Sequence, residues 1–265
     1  MTDPTESTVT RIVVRFLGRA ALIVLFLYMG FCAYLYFDQR HLIYFPEYAR
    51  TSDDTNFSLR NGNVVLRGWA LNPAKANALL YFGGNAEDVG AERSTLAAMF
   101  SDRAVFLLPY RGYGPNAGEP DETANLSDAL ALYDYVHSSH ARIAAVGRSL
   151  GSGVASYLAS RRPVEKLALI TPFDSLTGAA QVQYPVIPVS LLLKDRYESA
   201  HYLRRYPGPI LILRAGHDAV VPLASTDRLI NALTSKPQVI TFPEAGHNSI
   251  SDAPAYAKSL SQFIH

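Results

Sequence analysis

The chain has 265 residues, of which 49% are hydrophobic and 18% are charged. This composition excludes a disordered chain, because it supplies enough apolar surface to offset the conformational entropy lost on folding. The 24 basic and 23 acidic side chains leave a formal net charge of +1, which predicts no nucleic-acid partner. The single cysteine, Cys32, excludes an internal disulfide and a cysteine-based zinc site.

The first predicted element is an apolar helix near the N-terminus. Residues 20–37 carry no charge, and their number is at the lower limit for a helix that crosses a hydrocarbon core of about 30 Å. Arg11, Arg15 and Arg19 precede this segment. Because basic residues favour the cytoplasmic side, we predict a cytoplasmic tail at 1–19, a transmembrane anchor at 20–37 and a domain on the opposite side.

Two other interpretations of this segment are open. A cleaved signal peptide has a shorter apolar region and ends at small residues, whereas tyrosine, phenylalanine, cysteine and leucine stand near the end of this one. The second interpretation is a buried core helix, but arginines in its first turns favour contact with lipid headgroups. A membrane bilayer is therefore the predicted partner of residues 20–37.

The rest of the chain alternates strand and helix patterns and has the size of one domain. Such alternation requires crossover connections, which give a mostly parallel sheet covered by helices on both faces. The predicted fold class is therefore α/β, preceded by one transmembrane helix. A polar, linker-like stretch at 48–56 precedes predicted strands at 64–71, 78–82, 104–109, 143–146, 166–170, 210–214 and 238–242. The predicted helices cover 86–100, 123–136, 150–160, 222–233 and 253–263.

The strongest motif is Gly147-Arg148-Ser149-Leu150-Gly151, between a predicted strand and a predicted helix. A G-x-S-x-G sequence in this context is typical of a nucleophile elbow, a strained turn that exposes the serine hydroxyl at the end of a sheet. The motif predicts that Ser149 is a nucleophile. A glycine-rich turn in which the serine caps the helix is the alternative.

A serine nucleophile needs a base, and the base needs an acid that orients it. His247 follows the last predicted strand, so it lies at the carboxyl edge of the sheet, and we predict that it is the base. Asp218 follows the preceding strand at the same edge and is the predicted acid, with Asp174 and Asp252 as alternatives. The sequence order Ser149, Asp218, His247 is the order found in α/β hydrolases.

The predicted oxyanion hole consists of two backbone N–H groups. The first belongs to Leu150, the residue after the nucleophile, and the second to the loop after an early strand. Gly83 and Gly84 in that loop let the backbone approach a substrate carbonyl, so Asn85 is the predicted second donor, with Ala86 as the alternative. The glycine pair is also compatible with an ordinary turn.

Several motifs occur in the same order as in a known family. The chain resembles the α/β-hydrolase fold serine hydrolases, in particular the membrane-anchored branch related to monoacylglycerol lipases, lysophospholipases, protein depalmitoylases and serine aminopeptidase-like hydrolases. It departs from them at Gly83, where a histidine is common, and at Asn248, where an acidic residue often follows the catalytic histidine. The motifs that carry the resemblance lie at 42–46, 82–86, 110–114, 147–151, 172–175, 195–197, 216–222 and 246–248.

The resemblance implies an α/β-hydrolase domain at 42–265 with a lid region at 171–209. The apolar run 184–193 within the lid suits an alkyl chain, or packs on the domain instead. The predicted function is cleavage of an ester or thioester, preferably of a lipid or other acyl substrate, through an acyl-enzyme. A serine peptidase or amidase of the same fold and a non-catalytic, membrane-tethered binding module are the alternatives. Because no metal-binding or nucleotide-binding motif is present, no metal and no cofactor are predicted.

Overall fold

The computed structural model describes residues 4–50, 52 and 54–265. It divides the chain into two compact units, of which the first ends at Leu42 and the second is Ile43–His265. Helix α1, Pro4–Ile43, accounts for the described part of the first unit. The second unit contains all the other helices and strands of the described residues.

Helix α1 is a candidate membrane span. An 18-residue window within it has a mean hydropathy of 2.1, and large apolar side chains such as Phe26 are exposed, here by 78%. A core helix of a soluble protein would bury such side chains, so this exposure suits contact with lipid. The helix continues past both ends of the predicted segment 20–37, because arginine and glutamine, as at Arg19 and Gln39, are good helix formers.

The second unit is an α/β domain. Within the described residues its strands β1–β8 are Phe57–Asn61, Val64–Leu71, Asn77–Phe82, Arg103–Leu107, Arg142–Arg148, Leu167–Ile170, Ile210–His217 and Gln238–Gly246. Its helices α2–α9 are Arg93–Met99, Glu122–His137, Leu150–Arg161, Leu176–Gln183, Val189–Leu192, Ser199–Tyr202, Leu223–Ala232 and Tyr256–Ile264.

The strands form one sheet in the order β1-β2-β4-β3-β5-β6-β7-β8. β2 pairs antiparallel with β1 and with β4, and the remaining pairs are parallel. Successive side chains of β3 enter different cores: Leu80 packs in the core on one face, and Leu79 and Tyr81 pack in the core on the other. Burial on both faces explains why the central strands are continuous apolar runs. The predicted α/β class with a mostly parallel sheet is confirmed.

One helix is shorter than expected and one strand is not expected at all. The helix expected at 86–100 is confined to Arg93–Met99. Asp88 accepts a hydrogen bond at 3.1 Å from the Gly90 N–H through its Oδ1, and such a turn competes with the helix. Strand β1 is not predicted, because its five residues include only two apolar ones, Phe57 and Leu59, and a pattern this short is a weak signal. It forms an antiparallel edge on β2.

The segment between β6 and β7, where the lid region is expected, contains three short helices, α5–α7. Glu122, at the start of α3, holds its C-terminal part: its carboxylate accepts hydrogen bonds from the Arg196 N–H at 2.6 Å, the Tyr197 N–H at 2.8 Å and the Tyr202 hydroxyl at 2.9 Å. Within the apolar run 184–193 some side chains pack inward and others do not. Val189 is buried, whereas Val186 and Leu191 are 76% and 79% exposed.

Candidate active site

Ser149 lies on a strained turn between β5 and α4. Its φ is +51° and its ψ is −117°, a conformation that costs roughly 1–3 kcal/mol for a residue with a side chain. Hydrogen bonds hold the turn from both sides. The Ser149 N–H donates to the Ile170 carbonyl at 2.9 Å, and the Ser149 carbonyl accepts from the Ser152 N–H at 2.9 Å and the Ser152 hydroxyl at 2.6 Å.

The two glycines of the motif are required by close backbone contacts. A Cβ on Gly147 would lie 2.3 Å from the Gly151 carbonyl oxygen, and a Cβ on Gly151 would lie 2.1 Å from the Phe82 carbonyl oxygen. Neither backbone can approach so closely in the presence of a side chain. The G-x-S-x-G spacing therefore packs the start of α4 against the end of β3, next to the Gly83-Gly84 loop.

The register of β7 and β8 brings an acid and a histidine together. His217 pairs with Gly246 in this parallel ladder, so the residues that follow, Asp218 and His247, leave the sheet side by side. Between the pairs Ala215–Phe242 and His217–Gly246 the register shifts, so that residues 243–245 of β8 lie opposite Gly216 alone. This extension of β7 and β8 beyond the predicted strand ends determines where both side chains lie.

The structure brings Ser149, Asp218 and His247 into one hydrogen-bonded chain. The His247 Nε2 lies 2.9 Å from the Ser149 Oγ, and the His247 Nδ1 lies 2.8 Å and 3.0 Å from the two Asp218 carboxylate oxygens. Because an ionised carboxylate only accepts, the imidazole donates from Nδ1 to Asp218, which leaves Nε2 to accept a hydrogen bond from the Ser149 hydroxyl. The Ser149 and His247 residues are each 8% exposed.

Asp218 is held by the turn that follows it. Its Oδ1 accepts hydrogen bonds from the Val220 N–H at 2.9 Å and the Val221 N–H at 2.7 Å. The side chain of Asp218 is 3% exposed, so the hydrogen bonds that satisfy its carboxylate come from this turn and from His247.

The alternative acids have other surroundings. Asp174 accepts two hydrogen bonds at 2.9 Å from the Arg228 guanidinium and one from the Ser225 hydroxyl. Asp252 is exposed in a short 3₁₀ turn. His247 is thus paired with Asp218 rather than with either of these residues.

The expected oxyanion donors lie on the two segments that flank Ser149. Leu150 is the first residue of α4, and a Cβ position on Gly84 is 3.6 Å from the Ser149 Cβ, which places the loop that contains Asn85 beside the serine. Within residues 54–265 neither the Leu150 nor the Asn85 N–H has a protein acceptor. The proposed role of both groups as oxyanion donors is compatible with this.

Asn85 is fixed through its other polar groups. Its carbonyl accepts from the Tyr113 hydroxyl at 2.6 Å and from the Phe45 N–H at 3.2 Å, and its side-chain amide donates to the Ile43 carbonyl at 2.9 Å. These partners are distant in sequence, so no local pattern could have indicated them. The neighbouring alternative, Ala86, lacks a side-chain amide to tether it in this way.

The residues that the structure describes contain no group of three or more histidine, cysteine, aspartate or glutamate side chains arranged to hold a metal ion. His41 and His265 each contact one carboxylate, from Asp38 and Asp102 respectively. Of the described histidines, His247 is the one that contacts both a carboxylate and the elbow serine.

Comparison with known proteins gives relatives over most of the chain, although no family model matches it. An uncharacterized protein of Mycobacterium tuberculosis is 32% identical over 235 residues, which are 83% of this chain and 84% of that protein. Protein bem46 of Schizosaccharomyces pombe is 26% identical over 95% of this chain and 93% of its own length. The lysophosphatidylserine lipase ABHD12 of Danio rerio is 29% identical over 70% of this chain and 57% of its own length.

Solved structures share the fold. The Pyrococcus furiosus esterase Pf2001 superposes with a TM-score of 0.64 over 78% of this chain and 90% of its own, at 16% identity. A hydrolase from Pseudomonas aeruginosa superposes with a TM-score of 0.63 over 81% of this chain and 99% of its own, at 17% identity. Together with the sequence relatives, they show that the chain belongs to the α/β-hydrolase family.

Proposed function

We propose that this protein is a membrane-anchored serine hydrolase that cleaves an ester or thioester by way of an acyl-enzyme. The observation that carries the proposal is the hydrogen-bonded chain from the Ser149 Oγ through His247 to Asp218, with distances of 2.9 Å and 2.8 Å. A serine on a strained turn, hydrogen-bonded to a histidine that is itself hydrogen-bonded to a buried carboxylate, is the arrangement that activates a hydroxyl for attack.

The proposed reaction has two halves. His247 takes the Ser149 proton while the Ser149 Oγ attacks the acyl carbon, and the N–H groups of Leu150 and Asn85 stabilise the oxyanion that forms. His247 then gives the proton to the leaving oxygen or sulfur, which leaves the acyl group on Ser149. Water, deprotonated by His247, attacks the acyl carbon, and the serine recovers its proton as the acid departs. Asp218 holds the imidazole tautomer throughout.

Three observations support a lipid or other acyl substrate for this site. The chain has a candidate membrane span in α1. The segment at 171–209, which we propose to be the lid, exposes Val186 and Leu191. The related ABHD12 of Danio rerio is named a lysophosphatidylserine lipase.

The arginines before the span support a cytoplasmic N-terminus, with the hydrolase domain on the opposite side of the bilayer.

Labelling with a fluorescent fluorophosphonate tests whether Ser149 is activated. We expect membranes that contain the wild-type protein to be labelled and those that contain Ser149→Ala not to be. Ser160→Ala is the matched control, because Ser160 is exposed on the same helix and its hydroxyl donates to the Tyr157 carbonyl, away from Ser149 and His247. A folded wild-type protein that is not labelled would contradict the proposal and favour the non-catalytic binding module.

A panel of esters with acyl chains of about four to sixteen carbons then tests the substrate class, with each ester presented in phospholipid vesicles. We expect kcat/KM to rise with chain length, because each added CH₂ buried by the protein contributes about 0.8 kcal/mol. Equal kcat/KM for the shortest and longest esters would contradict the lipid preference and leave the serine chemistry intact.

A further inference from the structure

Glu87 occupies an unusual position in the loop expected to supply the oxyanion hole. Its side chain is 10% exposed, yet its carboxylate makes three polar contacts. The Oε2 accepts from the Gly84 N–H at 2.8 Å, and the Oε1 accepts from the Tyr81 hydroxyl at 2.6 Å. The Arg148 Nη1 lies 3.7 Å from the Oε2. The proposed reaction assigns no role to this group.

Arg148 extends the contact to the other side of the site. Its guanidinium, on a side chain that is 16% exposed, also donates from Nη2 to the Asn248 carbonyl at 3.3 Å. Arg148 precedes Ser149 and Asn248 follows His247 in the sequence. The Glu87–Arg148 pair therefore connects the oxyanion loop, the nucleophile turn and the turn that carries the base.

The Glu87 carboxylate favours the charged form of Arg148. Burial opposes the positive charge of Arg148, but Glu87 and the phenol groups of Tyr81 and Tyr256 leave the arginine pKa raised. Burial, reinforced by the Glu87 carboxylate, raises the pKa of Tyr81 well above its ordinary value, so its hydroxyl remains a donor to Glu87. A buried carboxylate is costly to leave unpaired, so these contacts stabilise the position of the Glu87 carboxylate.

The geometry of the loop shows what the network holds. Gly84 has no side chain, and a Cβ there would meet only ordinary contacts, at 3.6 Å from the Glu87 Oε2 and the Ser149 Cβ. Glycine alone would leave this backbone conformationally free. Glu87 fixes the Gly84 N–H on one side, and Tyr113 fixes the Asn85 carbonyl on the other. The Asn85 N–H lies between these two fixed points.

We infer that Glu87 is a positioning residue that directs the Asn85 N–H towards the oxyanion, with Arg148 holding the Glu87 carboxylate in place. This inference rests on the proposed serine hydrolase function. A donor that is already oriented stabilises the developing negative charge without reorganisation, and loss of one such donor costs about 10²–10³ in kcat. The positioning residue acts on kcat through this donor and touches no reacting atom itself.

The test compares Glu87→Gln and Glu87→Ala with Glu92→Gln. Glutamine keeps the side-chain volume and an oxygen that can accept from the Gly84 N–H, whereas alanine removes the acceptor. We expect kcat on a p-nitrophenyl ester to fall about tenfold in Glu87→Gln and about 100-fold in Glu87→Ala, with KM changed less than about threefold. Glu92→Gln removes a nearby charge without touching Gly84, so we expect wild-type kcat from it.

A trifluoromethyl ketone inhibitor separates positioning from a general structural defect. The adduct of this inhibitor with the serine carries an oxyanion where the tetrahedral intermediate of the proposed reaction would carry one. Its Ki should therefore rise in the two Glu87 variants in proportion to the loss of kcat/KM. The pH dependence of kcat/KM, which reports the base, should keep its wild-type midpoint. If Glu87→Ala does not fold, kcat and Ki of Glu87→Gln alone test the positioning role of Glu87.

The inference would be overturned by folded Glu87 variants with wild-type kcat and Ki, or by losses that appear in KM or in the urea midpoint while Ki is unchanged. Both outcomes leave the fluorophosphonate labelling of wild-type Ser149 intact. Failure of the proposed function is recognised separately, because the wild-type protein would then neither be labelled nor cleave the ester.

Discussion

At the residue scale, the choice between two aspartates depends on contacts that the sequence does not encode locally. Asp174 follows β6 and Asp218 follows β7, which are neighbouring parallel strands, so both residues lie beyond the carboxyl edge of the sheet. The structure pairs Asp218 with the His247 Nδ1 and Asp174 with Arg228. The partner of each carboxylate, rather than its place after a strand, distinguishes their expected roles.

Asp218→Asn and Asp174→Asn should therefore differ in activity. Asparagine at 218 can donate to the imidazole and favour the wrong tautomer, so we expect kcat to fall on the order of 10³- to 10⁴-fold. Asparagine at 174 weakens a pair whose arginine is 43% exposed, so we expect kcat within about threefold of wild type. Ester hydrolysis by the two purified variants checks this, and equal losses in both would contradict the assignment of Asp218.

The elbow and the tethers of the oxyanion loop differ in how far the sequence can predict them. Ser149 is predicted because the two glycines and the serine form a local pattern, and the close contacts of Gly147 and Gly151 are the physical reason for it. The tethers of Asn85 come from Phe45 and Tyr113, whose hydrogen bonds form only in the folded domain. Such long-range polar contacts leave no periodicity that can be read from the sequence.

At the element scale, the ends of β7 and β8 carry the acid and the base further than their apolar runs indicate. The predicted strands end at Arg214 and Phe242, whereas the observed ones continue to His217 and Gly246. The added residues include two glycines, a proline and a glutamate, which disfavour strand structure by propensity. Pairing across the two strands outweighs that propensity. The central strands, by contrast, were predictable because burial on both faces requires continuous apolar residues.

Gly216→Ala tests the close packing of these strand ends. A Cβ at Gly216 would lie 2.2 Å from the Pro243 carbonyl oxygen, whereas at Gly246 the nearest atom, the Ser249 Oγ, would be 3.5 Å away. We expect Gly216→Ala to lower the free energy of unfolding by about 1–3 kcal/mol, and Gly246→Ala to lower it less. Urea unfolding in detergent measures both, and equal midpoints would show that β7 and β8 adjust without cost.

At the scale of the whole molecule, the orientation in the membrane can be measured because Cys32 is the only cysteine. In a Cys32→Ala background, Lys258→Cys places a thiol at an exposed position on α9, and Ser7→Cys places one before the span. We expect a membrane-impermeant maleimide to label Lys258→Cys in intact cells. Ser7→Cys, in contrast, should be labelled only after the cells are lysed. The reverse pattern would place the hydrolase domain in the cytoplasm.

The segment between β6 and β7 and the hydrogen-bonded chain of Ser149, His247 and Asp218 are held by different parts of the domain. Glu122 fixes its C-terminal part through Arg196, Tyr197 and Tyr202, whereas Ser149, Asp218 and His247 are held by the sheet. If this segment is the proposed lid, substitutions at exposed residues such as Val186 and Leu191 therefore change its surface without moving Ser149, Asp218 or His247. Variation at these exposed positions is thus expected to change the substrate range and to leave the proposed chemistry unchanged.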